Sequence, residues 1–234
     1  MSGALNAAAG GGSLVTFPVL LGVGYPPIVA NVTNNVAAWP GYVGGAWGYK
    51  NGLAGQAHRA IPLALVSVLG GVIGVGLLLV SSPAAFESLA PFLVLAACGI
   101  LAAEPTITRR MNWGRVGAPG AGTLVAWAAA SVYGGYFGAA LGVALLAMLG
   151  LAFKDTLQRL NALKTILQLV IGTTTAIGLS LLTPVAWEAV AIVGFASLIG
   201  GQLGAKLAQK LDDRVLRAAI VAYGVFAALW LFCR

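Results

Sequence analysis

Eight apolar segments follow one another along the chain, at about 4–23, 28–49, 60–81, 84–103, 120–153, 157–182, 185–207 and 214–233, with only short breaks between them. Runs of this length are what a helix needs to cross roughly 30 Å of hydrocarbon. They lack the apolar-polar alternation of barrel strands. Only 8% of the 234 residues are charged, against about 25% in a soluble domain. The pattern predicts an all-α integral membrane protein with no polar extension long enough to fold separately.

Charge placement then constrains the path of the chain. If every segment crossed once, Lys50, Arg59, Arg109, Arg110 and Arg115 would lie on one side and Lys154, Arg159, Lys206, Lys210, Arg214 and Arg217 on the other, against the positive-inside rule. If the fifth segment enters and leaves on one face, those eleven of the 13 Lys and Arg share the cytoplasmic side. That segment, 121–153, would be about 50 Å long as one helix, and Gly134-Gly135 interrupts it near its middle. The first segment is interrupted too, by Gly10-Gly11-Gly12 and Pro18. Both are expected to be broken or re-entrant. Such a break at membrane depth needs protein or a water-filled cavity to satisfy its backbone.

Three crossings and one re-entrant element per half make two four-segment repeats, the second inverted relative to the first. Residues 1–103 form repeat 1, 104–119 a basic cytoplasmic linker, and 120–234 repeat 2. An offset of 130 lays "SVLGGVIGVGL" (67–77) over "SLIGGQLGAKL" (197–207) and Asn31 over Asn161. Gly70 with Gly74, and Gly200 with Gly204, form small-xxx-small pairs and read as helix-packing positions.

Two polar stripes interrupt the apolar pattern. Asn31, Asn34 and Asn35 fall at i, i+3, i+4, with Ala38 next; Asn161, Lys164, Thr165 and Gln168 repeat that spacing. Each stripe occupies one helical face. Uncompensated polar groups in hydrocarbon cost several kcal/mol, so the stripes should face each other, backbone or water. Thr33 lies in the same "NVTNN" run.

Lys164 is the only charge well inside an apolar segment, whereas all six carboxylates fall near segment ends. A cation without a membrane-depth carboxylate suits an anionic ligand and argues against a metal-cation site. Alternatively, Lys164 snorkels towards the interface beside Arg159; its polar neighbours favour a pathway. Gly12, Ser13, Thr16, Gly134 and Gly135 are further candidates, because broken helices offer backbone N–H groups and positive dipole ends. Among Trp39, Tyr42, Trp47 and Tyr49, one aromatic could gate the route. Cys98 and Cys233 lack metal-type spacing, and His58 reads as an interfacial cation. No cofactor or metal is expected. The net charge of +7 sits in short loops, so nucleic acid is not an expected partner.

The stretches "GGGSLVTFPVLLGVGYPPIVANVTNNVAAWPGYVGGAWGY" (10–49) and "GGYFGAALGVALLAMLGLAFKDTLQRLNALKTILQLVIG" (134–172) resemble the two signature halves of the sulfite exporter TauE/SafE family, also called the toluenesulfonate uptake permeases. The resemblance implies a secondary transporter of the inner membrane, carrying sulfite, sulfoacetate or another organosulfonate by alternating access. It places Asn31, Thr33, Asn34 and Asn35 in the first signature and Asn161 and Lys164 in the second. The expected partners are that anion and membrane lipid, with a homodimer left open. A passive anion channel of the same fold, or a carrier of another small organic anion, is the alternative. The absence of a His, Cys or carboxylate cluster inside the membrane argues against an enzyme.

Overall fold

A computed structural model describes residues 12–109, 118–208 and 213–232. Gly10 and Gly11, the basic stretch 110–115, Lys210 and Cys233 lie outside the described residues. The elements are α1 (Gly12–Gly22), α2 (Pro27–Gly48), a 3-10 turn (Lys50–Leu53), α3 (Ala57–Val80), α4 (Pro83–Arg109), α5 (Ala121–Tyr136), α6 (Leu141–Ala152), α7 (Leu157–Leu182), α8 (Trp187–Ala208) and α9 (Asp213–Phe232).

Local chemistry sets the boundaries. Prolines open α2 and α4, where a fixed φ suits the first turn and the missing N–H loses no bond. Thr156 caps α7 by accepting from the Arg159 amide. Pro18 stands inside α1 without ending it. By length and apolarity, Ala57–Val80, Pro83–Ala103 and Leu157–Leu182 qualify as membrane spans among the described residues. Helix α2, with 22 residues, is long enough at about 1.5 Å per residue, but its asparagines lower its hydropathy. It pairs with α7 and α8 instead of facing lipid along its whole length.

The offset of 130 recurs in the fold. Pro27 and Leu157, Ala57 and Trp187, and Pro83 and Asp213 open successive helices, and α6 lies at the same offset from α1 to within one residue. Packing partners exchange accordingly: α2 packs on α8 as α3 packs on α7, and α4 packs on α6 as α9 packs on α1. The counterpart helices α2 and α7 cross in opposite directions. Trp39 bonds Thr173 at 2.9 Å, the Tyr42 ring covers Gly172, and Gly45 faces Thr165. Helices α4 and α9 also run antiparallel, with Phe92 against Phe232 and Cys98 against Gly224.

The fifth apolar segment is broken, but beyond the glycine pair. Helix α5 continues through Gly134-Gly135, and the break falls at 137–140, where Gly138 (φ 73°) and Ala140 (φ 55°) adopt left-handed conformations. The pair serves close packing: Gly135 meets the Gly71 backbone, Gly74 meets Val132 and Gly135, and Gly134 meets Leu141 and Ile171. Contacts Ser67–Trp127, Gly70–Ser131 and Gly74–Gly135 show α5 running alongside α3 in the same direction. Helix α6 returns: Gly142 lies against Gln168, while Phe153, just past its end, stacks under Arg59 at the start of α3. The two pieces are a helical hairpin, with 16 and 12 residues, about 24 and 18 Å. Each is shorter than a bilayer crossing.

Every carbonyl of the break has a donor. Tyr136 O accepts from Asn31 Nδ2 at 2.8 Å, Phe137 O from Asn35 Nδ2 at 3.3 Å, and Ala139 O from the Tyr133 hydroxyl at 2.7 Å. Gly138 O accepts from Leu141 N, and Ala140 O from Val143 N and Ala144 N. This is how irregular backbone survives at membrane depth. Phe137 anchors the turn in an aromatic cluster, edge-on to Phe17 at 5.2 Å. On the outer side of α3, Ile61, Leu65, Leu69, Val72 and Val80 are exposed, an apolar face suited to lipid.

Candidate functional site

One polar cleft lies between α1, α2 and α8. Gly12, Ser13, Thr16, Asn34, Ala38, Val193 and Ser197 line a small, half-open recess whose enclosed part has room for about one water molecule. Helix α1 contributes Ser13 and Thr16 from its first turn, α2 contributes Asn34 and Ala38 four residues apart on one face, and α8 contributes Val193 and Ser197 with the same spacing. Asn34 is 3% exposed, and Ser13 and Ser197 are each 7% exposed. None of these three side chains forms a hydrogen bond to the protein. Their polar atoms open into the cleft, where their donors and acceptors are available to water or a guest. Thr16 donates its hydroxyl hydrogen to Gly12 O at 3.0 Å, leaving its oxygen as an acceptor. The lining carries no charge, and its amide and hydroxyls suit a small polar solute, including an oxyanion.

The expected site residues divide by role. Gly12, Ser13, Thr16 and Asn34 line the cleft. Asn31 and Asn35, neighbours of Asn34, hold the hairpin break instead; Asn35 Nδ2 also donates to Asn31 O at 3.0 Å and Asn31 Oδ1 at 3.2 Å. Thr33 accepts from the Ala186 amide at 3.2 Å, tying α2 to the α7–α8 connection. Gly134 and Gly135 are packing positions away from the cleft. Val193 and Ser197 complete the lining from outside both polar stripes, and the offset of 130 pairs Ser197 with Ser67.

The second stripe lies elsewhere. Asn161 and Lys164 are half-buried on α7, and no carboxylate among the described residues pairs with Lys164. Thr165 returns its hydroxyl to Asn161 O and Ala162 O. Gln168 packs on Gly142, with Tyr42 beside it. Asn34 and Lys164 are counterparts at the offset, each eight residues before the Tyr42–Gly172 crossing. Because α2 and α7 run antiparallel, they fall on opposite sides of it, each about 12 Å away along its helix. The stripes therefore occupy two depths and do not face one another.

The counterpart of the cleft, at the pseudo-equivalent contact between the halves, is filled. The positions matching Ser13 and Thr16 are Val143 and Leu146. Ser67, the match of Ser197, accepts from Trp127 Nε1 at 2.8 Å, and Gln168, the match of Ala38, lies against Gly142. Among the described residues, no three His, Cys, Asp or Glu side chains gather as a metal site.

Long apolar helices around a small polar cleft define a multi-pass membrane protein. Residues 1–231 match the family described as sulfite exporter TauE/SafE, and the chain belongs to that family of membrane transporters. It is 25% identical over 231 residues to "Probable membrane transporter protein ORF9" of Sinorhizobium sp, covering 98% of this chain and 87% of that one. It is likewise 25% identical over 221 residues to a "Probable membrane transporter protein" of Haemophilus influenzae, covering 93% and 85%. No solved structure matches.

Proposed function

We propose that this protein is a secondary transporter of small sulfur-containing anions, sulfite, sulfoacetate or another organosulfonate, across the inner membrane, and that the anion binds in the cleft of Ser13, Thr16, Asn34 and Ser197. The observation that carries the reading is the convergence of three side chains that make no hydrogen bond to the protein, Ser13, Asn34 and Ser197, on one uncharged cleft. Neutral hydroxyl and amide donors can hold an oxyanion without trapping it, as a carrier must. Lys164, across the midplane crossing, supplies a cationic step on the same route.

The two halves act as an inverted repeat of four segments each, with the α5–α6 hairpin as a re-entrant element entering and leaving the cytoplasmic face. The common offset, the exchanged packing and the antiparallel counterparts support this arrangement. An open cleft at one contact between the halves and a filled counterpart at the pseudo-equivalent contact suit alternating access, in which rocking of the halves exchanges the two. The Tyr42 ring sits directly on the Gly172 backbone at the crossing, which favours a carrier over a continuously open channel.

Reconstitution into proteoliposomes tests this. A carrier accumulates labelled sulfite against its gradient when an ion gradient is imposed, and Asn34→Ala abolishes the accumulation. Equilibration without accumulation under proton, sodium and counter-anion gradients would establish the channel.

A further inference from the structure

A second group of polar side chains lies well away from the cleft, where the α2–α3 connection meets the α6–α7 connection. Arg59 is 5% exposed, and its Nη1 meets Asp155 Oδ2 at 2.7 Å, with Phe153 stacked 4.8 Å from the guanidinium carbon. Arg159 approaches the same carboxylate through Nε alone, at 3.0 Å from Oδ1 and 3.3 Å from Oδ2. Gln56 locks the two connections together, donating to Gly52 O at 2.8 Å and Arg159 O at 2.9 Å. The Thr156 amide donates to Asp155 Oδ1 at 2.8 Å.

Two features exceed what a structural ion pair requires. Two guanidiniums meet one carboxylate at the edge of a low-dielectric region. Arg159 is also half-exposed, and its two terminal nitrogens make no hydrogen bond to the protein. A guanidinium edge is the side-chain geometry best matched to an oxyanion, which it binds through parallel N–H···O bonds. Lys154 is exposed next to it in sequence.

We propose that Arg159 and Arg59 form an oxyanion capture site at this mouth, in which the Asp155 carboxylate stands in for the anion until one arrives. A small oxyanion docks on the free edge of Arg159 and draws the guanidinium from Asp155. Arg59 remains neutralised by Asp155, so the buried cation is never left without a counter-charge. Lys164 is five residues further along α7, about 7.5 Å, and is the next cation inward. The site is separate from the cleft and stands or falls independently of it.

The test is calorimetric titration of sulfite, and separately sulfate, into purified full-length protein in detergent, with unfolding temperatures recorded for each variant. The parent is expected to bind two anions per chain and Asn34→Ala one. In the Asn34→Ala background, Arg159→Gln should weaken the remaining site roughly tenfold, and Asp155→Asn should tighten it roughly fivefold by removing the competitor. Arg159→Gln keeps the test decisive if Asp155→Asn does not fold, because it removes only one half-exposed partner. Unchanged affinity in folded Arg159→Gln overturns the capture site and leaves the cleft reading intact. Retention of both anions by Asn34→Ala, with one still dependent on Arg159, overturns the cleft reading and leaves the capture site. Repeating the titration in phosphatidylcholine nanodiscs with and without phosphatidylglycerol identifies the occupant: a free anion keeps its affinity in both, whereas loss with phosphatidylglycerol assigns the arginines to a lipid headgroup and overturns the proposal.

Discussion

The side-chain amide of Asn31 donates to the backbone carbonyl of Tyr136 at 2.8 Å, across 105 residues of sequence. It joins the centre of α2 to the turn of the α5–α6 hairpin, and Asn35 repeats the bond one carbonyl further on. Asn34 lies between them in the chain and faces the cleft, so one stretch of α2 holds both the hairpin turn and the proposed binding residue.

Asn31→Ala would leave Tyr136 O buried without its donor. The expected loss is about 1–3 kcal/mol, read as a lower unfolding temperature. Asn31→Asp, which replaces the donor with an acceptor, should be at least as damaging. Unfolding temperatures equal to the parent's for both would mean the hairpin is held by other contacts.

Gly138 combines a φ of 73° with a neighbour, Asn35 Oδ1, that would lie 2.7 Å from an added Cβ. Gly138→Ala should therefore destabilise the protein by about 1–3 kcal/mol. Gly122→Ala is the control, since nothing lies within 4 Å of its would-be Cβ; in a helix it should be neutral or stabilising by about 1 kcal/mol. Equal effects of the two would refute the strained-turn account.

Gly74 faces the Val132 carbonyl and the Gly135 backbone directly. Gly74→Val should separate α3 from α5 and abolish the folded protein in detergent, monitored by monodisperse elution. Normal elution of Gly74→Val would show that this contact does not set the packing.

Burial alone would raise the Asp155 carboxyl, but hydrogen bonds from the Thr156 amide, Arg59 and Arg159, with the Arg159 charge, outweigh it and hold the group below the usual carboxylate range. A depressed folded value means that the stabilisation is fully present above the unfolded value of about 3.9. It is lost as pH falls through the lower folded value. Thermal unfolding should show a drop below about pH 4 that Asp155→Asn diminishes. Indistinguishable profiles would remove Asp155 from the acid response.

Much of the architecture is legible in the sequence because hydrocarbon imposes length and apolarity on each span. The offset joining the two "GG" motifs reappears in the helix starts, and Gly70 and Gly74 are packing glycines as their spacing indicates. Gly134-Gly135 misled for a physical reason: a glycine pair signals backbone freedom and close approach equally, and here approach to Gly71 decides. The true break, at Phe137 to Ala140, is stabilised by side chains more than 100 residues away, Asn31 and Asn35.

The site was only partly legible for a related reason. Helical periodicity places Asn31, Asn34 and Asn35 on one side of α2, but the packing partner determines which asparagine supports a turn and which faces a cleft. Ser197 enters the cleft only because α8 packs on α2. The depths of Asn34 and Lys164 likewise depend on where α2 and α7 cross.

The most direct test of the central claim is equilibrium binding of sulfite to purified parent, Asn34→Ala and Ser197→Ala, with the affinity of the cleft resolved from any second site. Each variant should keep the parent's unfolding temperature within a few degrees. Asn34→Ala should lose at least roughly tenfold in cleft affinity, the weight of one buried hydrogen bond to an anion, and Ser197→Ala a smaller part. Unchanged affinity in both folded variants would contradict the assignment of the α1–α2–α8 cleft as the anion site.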